Sequence, residues 1–114
     1  MKKAAMISLF ILLFSLLSFE SNAQKNKEVI IQTSAQCEMC KEKLESNLSF
    51  EKGIKDVNLD MKTKKILISY NPKKTDLLSL KELISDIGYD ADDIKANAVV
   101  YKNLPTCCKK PEDR

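Results

Sequence analysis

Lys27-Glu28-Val29-Ile30-Ile31-Gln32, then Thr33-Ser34-Ala35-Gln36, then Cys37-Glu38-Met39-Cys40-Lys41-Glu42-Lys43-Leu44-Glu45-Ser46-Asn47-Leu48 reads as a strand, a polar loop and a helix in succession. Val29, Ile30 and Ile31 are β-branched, which suits a pleated backbone, and the polar cluster Thr33 to Gln36 ends the run. From Cys37 the period changes. Cys40, Leu44 and Leu48 recur every fourth residue as one stripe, while Lys41, Glu42, Lys43 and Glu45 cover the other faces, so a helix is expected from Cys37 to about Leu48. Two thiols therefore stand at a helix start.

Downstream, Gly53 supplies a break, and Val57, Leu59 and Met61 alternate with Asn58, Asp60 and Lys62 as a half-buried strand. Thr63-Lys64 connects to a second alternation, Ile66, Ile68 and Tyr70, ended by Asn71-Pro72. Leu77, Leu80, Leu83, Ile84 and Ile87 mark a second amphipathic helix, with Thr75 or Asp76 as its N-cap and Gly88 as its C-cap. A last apolar stretch begins near Ile94. The order βαββαβ predicts an α+β, ferredoxin-like sandwich with two helices on one face of a four-stranded antiparallel sheet. In that wiring the loop before the first helix and the loop after the second meet at one end, which makes Cys37, Cys40 and Tyr89 neighbours.

Upstream, Lys2 and Lys3 precede an apolar run from Ala4 to Phe19, and Ser21-Asn22-Ala23 offers the small residues that a signal peptidase reads. The run is short for a membrane span. The expected organisation is a signal peptide at 1–23, a folded domain at 24–97 and a C-terminal extension at 98–114. Cleavage before Gln24 would leave a periplasmic or secreted protein, with membrane association only through the uncleaved signal.

The chain has no histidine, which removes His-based acid–base catalysis, Cys-His nucleophile pairs and imidazole ligands. Its formal net charge of +3 is too small to suggest a nucleic-acid partner. Four cysteines are left as the soft, reactive groups, and outside the cytoplasm each pair must be a disulfide, a metal site or a redox couple. At the start of a helix, unpaired N–H groups and the positive dipole end favour thiolate. Two thiolates on a short loop suit a soft, low-coordination cation, Cu(I) first and Hg(II) second, whereas structural zinc needs four ligands. By spacing alone, CxxC also serves thiol-disulfide oxidoreductases, and a static disulfide is a third reading. The order of elements, Gln36 before Cys37 and the lack of any proline between Glu28 and Asn71 weigh against a thioredoxin-like site.

The CxxC after a strand, Lys55-Asp56-Val57-Asn58-Leu59, Ile68-Ser69-Tyr70-Asn71-Pro72 and Ile87-Gly88-Tyr89 together resemble the heavy-metal-associated domain family. That family includes small copper chaperones, metal-binding modules of copper-transporting ATPases and the periplasmic mercury-binding protein. The likeness runs from Glu28 to about Ala96. It implies Cys37 and Cys40 as metal ligands, Tyr89 beside the metal loop, and a non-catalytic chaperone or scavenger for Cu(I) or Hg(II). The partner implied is a metal-transporting ATPase or another thiolate-bearing metal protein. Where the family usually has Gly-Met-Thr before the first cysteine, this chain has Ser34-Ala35-Gln36, a change that bears on loop rigidity. Met39 lies between the two ligands and offers a thioether.

Cys107-Cys108 lies beyond the resemblance, and reach decides its use. A strand from Ile94 to Tyr101 descends about 26 Å, and the six residues Lys102 to Cys107 return at most about 20 Å. These cysteines then fall short of Cys37. If instead Asn97 caps a short helix, Ala98 to Leu104, ended by Pro105, the helix rises about 10 Å. Cys107 and Cys108 can then fold back as additional ligands. Val99, Val100 and Tyr101 favour the strand, Asn97 and Pro105 the helix. In a third reading the tail is flexible and its cysteines oxidise or pair with another chain. A monomer is expected, with a metal- or disulfide-bridged dimer as the alternative.

Overall fold

The computed structural model describes residues 25–114, and the expected signal peptide and its cleavage point before Gln24 lie outside the described residues. The elements are β1 (Lys27–Gln32), α1 (Glu38–Ser49), β2 (Ile54–Asp60), β3 (Lys65–Tyr70), α2 (Leu77–Ile87) and α3 (Ala98–Lys102), followed by 3-10 turns at Thr106–Cys108 and Pro111–Asp113.

The alternating apolar positions dictate the sheet. β3 lies in its centre, antiparallel to β1 on one side and to β2 on the other. Ile66 stands opposite Ile31 and Leu59, and Ile68 opposite Val29 and Val57. These rows meet the stripes Cys40–Leu44–Leu48 of α1 and Leu80–Ile84 of α2 in one buried core. The other sheet face carries the alternate residues: Ile30 is 64% exposed and Leu67 38%. Burial on one face only is what strict alternation in an antiparallel sheet implies. Two side chains of α1 also dock it to β2. Lys41 Nζ donates to the Leu59 carbonyl (2.7 Å), Glu45 Oε1 accepts the Leu59 N–H (2.9 Å), and the two side chains pair at 3.1 Å.

The described residues form three strands rather than the expected four. After α2 the chain touches β1 only briefly: Asp92 N–H donates to the Gln32 carbonyl (2.9 Å), Asp92 Oδ1 accepts the Gln32 N–H (2.8 Å), and Thr33 bridges to Ala91. Ala91 and Ile94 then bond to each other across a turn, and the chain swings back to the end of α2. There Ser85 donates its hydroxyl to the Lys95 carbonyl, and Asn97 N–H donates to the Ser85 carbonyl. Asn97 Oδ1 accepts from Val99 and Val100 N–H, capping α3. A local cap thereby overrides the strand propensity of Val99, Val100 and Tyr101.

Asp76 caps α2 through Ser79 N–H, and Gly88 ends it with φ 114°. At Gly88 a Cβ would meet Val100 Cγ1 at 3.1 Å and Leu104 Cδ1 at 3.3 Å. Glycine is required there twice, for the left-handed backbone and for the approach of α3 and its sequel. Gly88→Ala is expected to cost about 1–3 kcal/mol, read as a lower midpoint in urea unfolding; an unchanged midpoint would show that α3 does not seat on Gly88.

Candidate metal centre

The loop Thr33–Gln36 is rich in hydrogen bonds. Thr33 Oγ1 donates to the Lys64 carbonyl (2.7 Å) and accepts Ala35 N–H; Ser34 Oγ accepts the Asp90 N–H (2.8 Å). Gln36 bonds to the Ser34 carbonyl and accepts from Lys64 Nζ, while Ala35 is wholly buried. Thr33 and Gln36 thus tie the loop to the turn before β3, and Ser34 ties it to the segment after α2.

This loop delivers Cys37 to the N-cap of α1 in extended conformation, with no side-chain cap. Its carbonyl accepts from Cys40 and Lys41 N–H, but the first-turn N–H groups lack side-chain acceptors and face the two sulfurs with the dipole's positive end. Cys37 Sγ and Cys40 Sγ are 3.3 Å apart, Cys40 buried and Cys37 half-buried. The helical alternative for the C-terminal segment brings a third sulfur: Cys108 Sγ lies 3.9 Å from Cys37 Sγ, and the sulfurs of Cys37, Cys40 and Cys108 all lie within 4.8 Å of one another. Cys107 is exposed and outside this trio, its Sγ 4.0 Å from that of Cys108. Met39 is 53% exposed on the surface of α1, whereas Cys40 is buried. All four cysteines are free thiols.

Tyr89 is fully buried, and its hydroxyl, beside the Cys40 and Cys108 sulfurs, has no hydrogen-bond partner. Burial, and after it those two sulfurs, push its ionisation well above the usual phenol range, so it is a pure donor. A neutral thiol is a weak acceptor and a thiolate a strong one. The orphaned O–H therefore fits a site whose sulfurs ionise to hold a soft cation.

Burial raises the Cys40 thiol, but the neighbouring Cys108, Tyr89, Gln36 backbone and Cys37 outweigh it and bring it down to about 7. Burial, and for Cys108 also the neighbouring Cys40, push Cys37 and Cys108 up. Of the three thiols, Cys40, the most buried, is therefore the one that ionises first as pH rises.

The acidic residues after α2 form ion pairs. Asp90 Oδ2 pairs with Lys110 Nζ at 2.7 Å while its Oδ1 accepts Ala96 N–H, and Lys81 pairs with Asp92 and Asp93. Sequence reasoning missed the Asp90–Lys110 pair, whose partners are twenty residues apart and belong to no motif.

Among known proteins, the Heavy-metal-associated domain family matches residues 34–90. A copper-exporting P-type ATPase of Staphylococcus haemolyticus is 34% identical over 59 residues, 52% of this chain and 7% of that protein. The chain thus spans under a tenth of that curated relative. The CopZ metallochaperone superposes with a TM-score of 0.54 at 24% identity, over 57% of this chain and 98% of its own. Oxidized MerP from Ralstonia metallidurans gives 0.56 at 19% identity, over 59% and 94%. At these identities the two structures speak to the fold.

Two outcomes follow. Tyr89→Phe removes one hydrogen bond to a charged acceptor and should weaken Cu(I) binding by roughly tenfold, about 1.5 kcal/mol, in competition against a chromogenic chelator; unchanged affinity would remove Tyr89 from the site. Cu(I) affinity should also rise with pH, because bound thiolates must first lose protons. The rise should be shallower by one proton above pH of about 7, where Cys40 has already ionised. A slope that does not change there would contradict the charge assignment.

Proposed function

The chain belongs to the heavy-metal-associated domain family, and from that premise we propose that it is an exported soft-metal-binding protein. Cys37 and Cys40 hold one Cu(I), with Hg(II) the second candidate, and pass it on by thiolate exchange. The observation that carries this reading is the pair of sulfurs 3.3 Å apart at an uncapped helix start, next to a buried hydroxyl with no hydrogen-bond partner. Softness selects the ion: an all-thiolate donor set without histidine disfavours hard, oxygen-seeking cations.

Transfer follows from coordination number. An incoming thiolate forms one metal–sulfur bond before an old one breaks, so the ion is never free, and no electron moves. The acceptor is a thiolate-bearing metal protein, for which a metal-transporting ATPase is the first candidate; the copper-exporting ATPase that the chain resembles supports this choice. Basic pairs Lys64-Lys65 and Lys73-Lys74 suit an acidic partner surface. Export rests on Lys2, Lys3, the apolar run and Ser21-Asn22-Ala23, and implies a periplasmic or secreted location.

A thiol-disulfide oxidoreductase built on the same CxxC would need an accessible thiolate as its nucleophile. Here burial pushes the more accessible thiol, Cys37, up, and the thiol that is brought down, Cys40, is buried. The arrangement favours holding a cation over attacking a disulfide.

Anaerobic Cu(I) titration of the reduced protein should give one ion per chain, and Cys37→Ser should weaken binding by at least about a hundredfold, some 2.7 kcal/mol. Equal binding by the two proteins would sink the proposal. Half an ion per chain would indicate a metal-bridged dimer, and turnover in a disulfide-reduction assay would favour the oxidoreductase.

A further inference from the structure

We propose that the segment from Leu104 to Lys110 is a ligand-bearing latch: Cys108 supplies a third thiolate to the ion and must be displaced before the ion leaves. This deepens the reading of Cys37 and Cys40 as metal thiolates and rests on it. With metal–thiolate bonds of about 2.3 Å, three sulfurs in a plane around one ion stand roughly 4 Å apart, and two sulfurs in line stand roughly 4.6 Å apart. Cys37 stands 3.3 Å from Cys40 and 3.9 Å from Cys108, and the three sulfurs are mutually within 4.8 Å. Both measured spacings lie nearer the three-coordinate value than the linear one, and the third sulfur is within reach of the same ion.

The third sulfur is placed by contacts that involve no sulfur. Leu104 is buried against Gly88. The Tyr101 hydroxyl accepts the Lys110 N–H (2.9 Å) and donates to Asp113 Oδ2 (2.6 Å). Lys110 Nζ pairs with Asp90 Oδ2 at 2.7 Å, on the residue next to Tyr89, and Arg114 Nη2 donates to the Cys107 carbonyl. These contacts bracket Cys108 in sequence, so it is preorganised over Cys37 rather than drawn in by an ion. The hydroxyl of Tyr89, wholly buried and unpartnered beside Cys40 and Cys108, is a second sign of a polar group held there for a ligand-bearing site.

The balance is one of ligands and protons. Loading forms three metal–sulfur bonds and releases the protons still on the three thiols. In unloading, the bond to Cys108 breaks as the acceptor's first thiolate forms its own, the bonds to Cys37 and Cys40 break as further acceptor thiolates replace them, and the freed sulfurs take up protons from water. Nothing is oxidised or reduced. The latch thereby trades speed of transfer for retention, and an acceptor that engages Lys110 or Asp90 would speed release by opening it.

X-ray absorption on the reduced, Cu(I)-loaded protein should show three sulfurs, falling to two in Cys108→Ser and staying at three in Cys107→Ser. Cys108→Ser should still bind one Cu(I), and should release it to the chelator bathocuproine disulfonate at least about tenfold faster. Asp90→Asn keeps every cysteine and should also accelerate release, by a smaller factor. Two sulfurs in the unaltered protein, or wild-type release from Cys108→Ser, would overturn the latch while leaving the Cys37–Cys40 site intact. Loss of all copper from Cys108→Ser would overturn it too, since the latch adds a bond to a site that stands without it. Failure of the underlying reading shows separately, as Cys37→Ser binding copper like the unaltered protein.

Discussion

The left-handed turn at Gly88 is the constraint on which the metal end of the molecule depends. It ends α2, and the backbone it directs drops Tyr89 beneath Cys40. Its missing Cβ leaves room for Val100 and Leu104, which a Cβ would crowd at 3.1 and 3.3 Å, and through them seats α3 and the segment that bears Cys108. A side chain at this point would obstruct both effects at once. The connections are steric and run in one direction, from a backbone angle to a packing surface to the position of a sulfur more than a dozen residues later.

Electrostatics then decides what three crowded sulfurs do. Water-poor surroundings oppose any thiolate, and a second charge within 4 Å of the first is opposed further. One ionised sulfur is therefore the most the apo site tolerates, and it resides on Cys40, where Tyr89, Cys108, Cys37 and the Gln36 backbone all stabilise it. A soft cation removes the repulsion and lets the other thiols ionise. Metal and protons thus compete for the same sulfurs, while the nearby Asp90–Lys110 pair is internally neutral and leaves that competition to the cysteines.

The strand–loop–helix reading of Lys27 to Leu48, the hairpin and the second helix were legible because each rests on a period that one buried face enforces. Ile66 and Ile68, or Leu44 and Leu48, leave little choice of element. The pairing of Cys37 with Cys40 was legible for a related reason, since their spacing places them within a single helical turn. The last segment was not. Val99, Val100 and Tyr101 favour a strand locally, and what defeats them is one cap at Asn97 together with Ser85 drawing the chain back, a tertiary effect that propensity does not contain. The same holds for Cys108. Its use depended on whether the fourth strand formed, so residues without any sulfur decided a question about ligands.

The fourth strand and the third sulfur are in fact alternatives. A strand continuing from Ile94 along β1 would carry Tyr101 about 26 Å down the sheet, beyond the return reach of Cys108. By turning away after Ile94, the chain forgoes a ladder of backbone hydrogen bonds and leaves β1 as an edge. That edge is blunted by the reciprocal bonds of Gln32 with Asp92 and by the charges of Lys27 and Glu28. What offsets the lost ladder is the packing of Leu104 and Cys108 into the core and the ion pair at Asp90. The departure from four strands is therefore the step that makes a three-sulfur centre geometrically available to a chain with one CxxC.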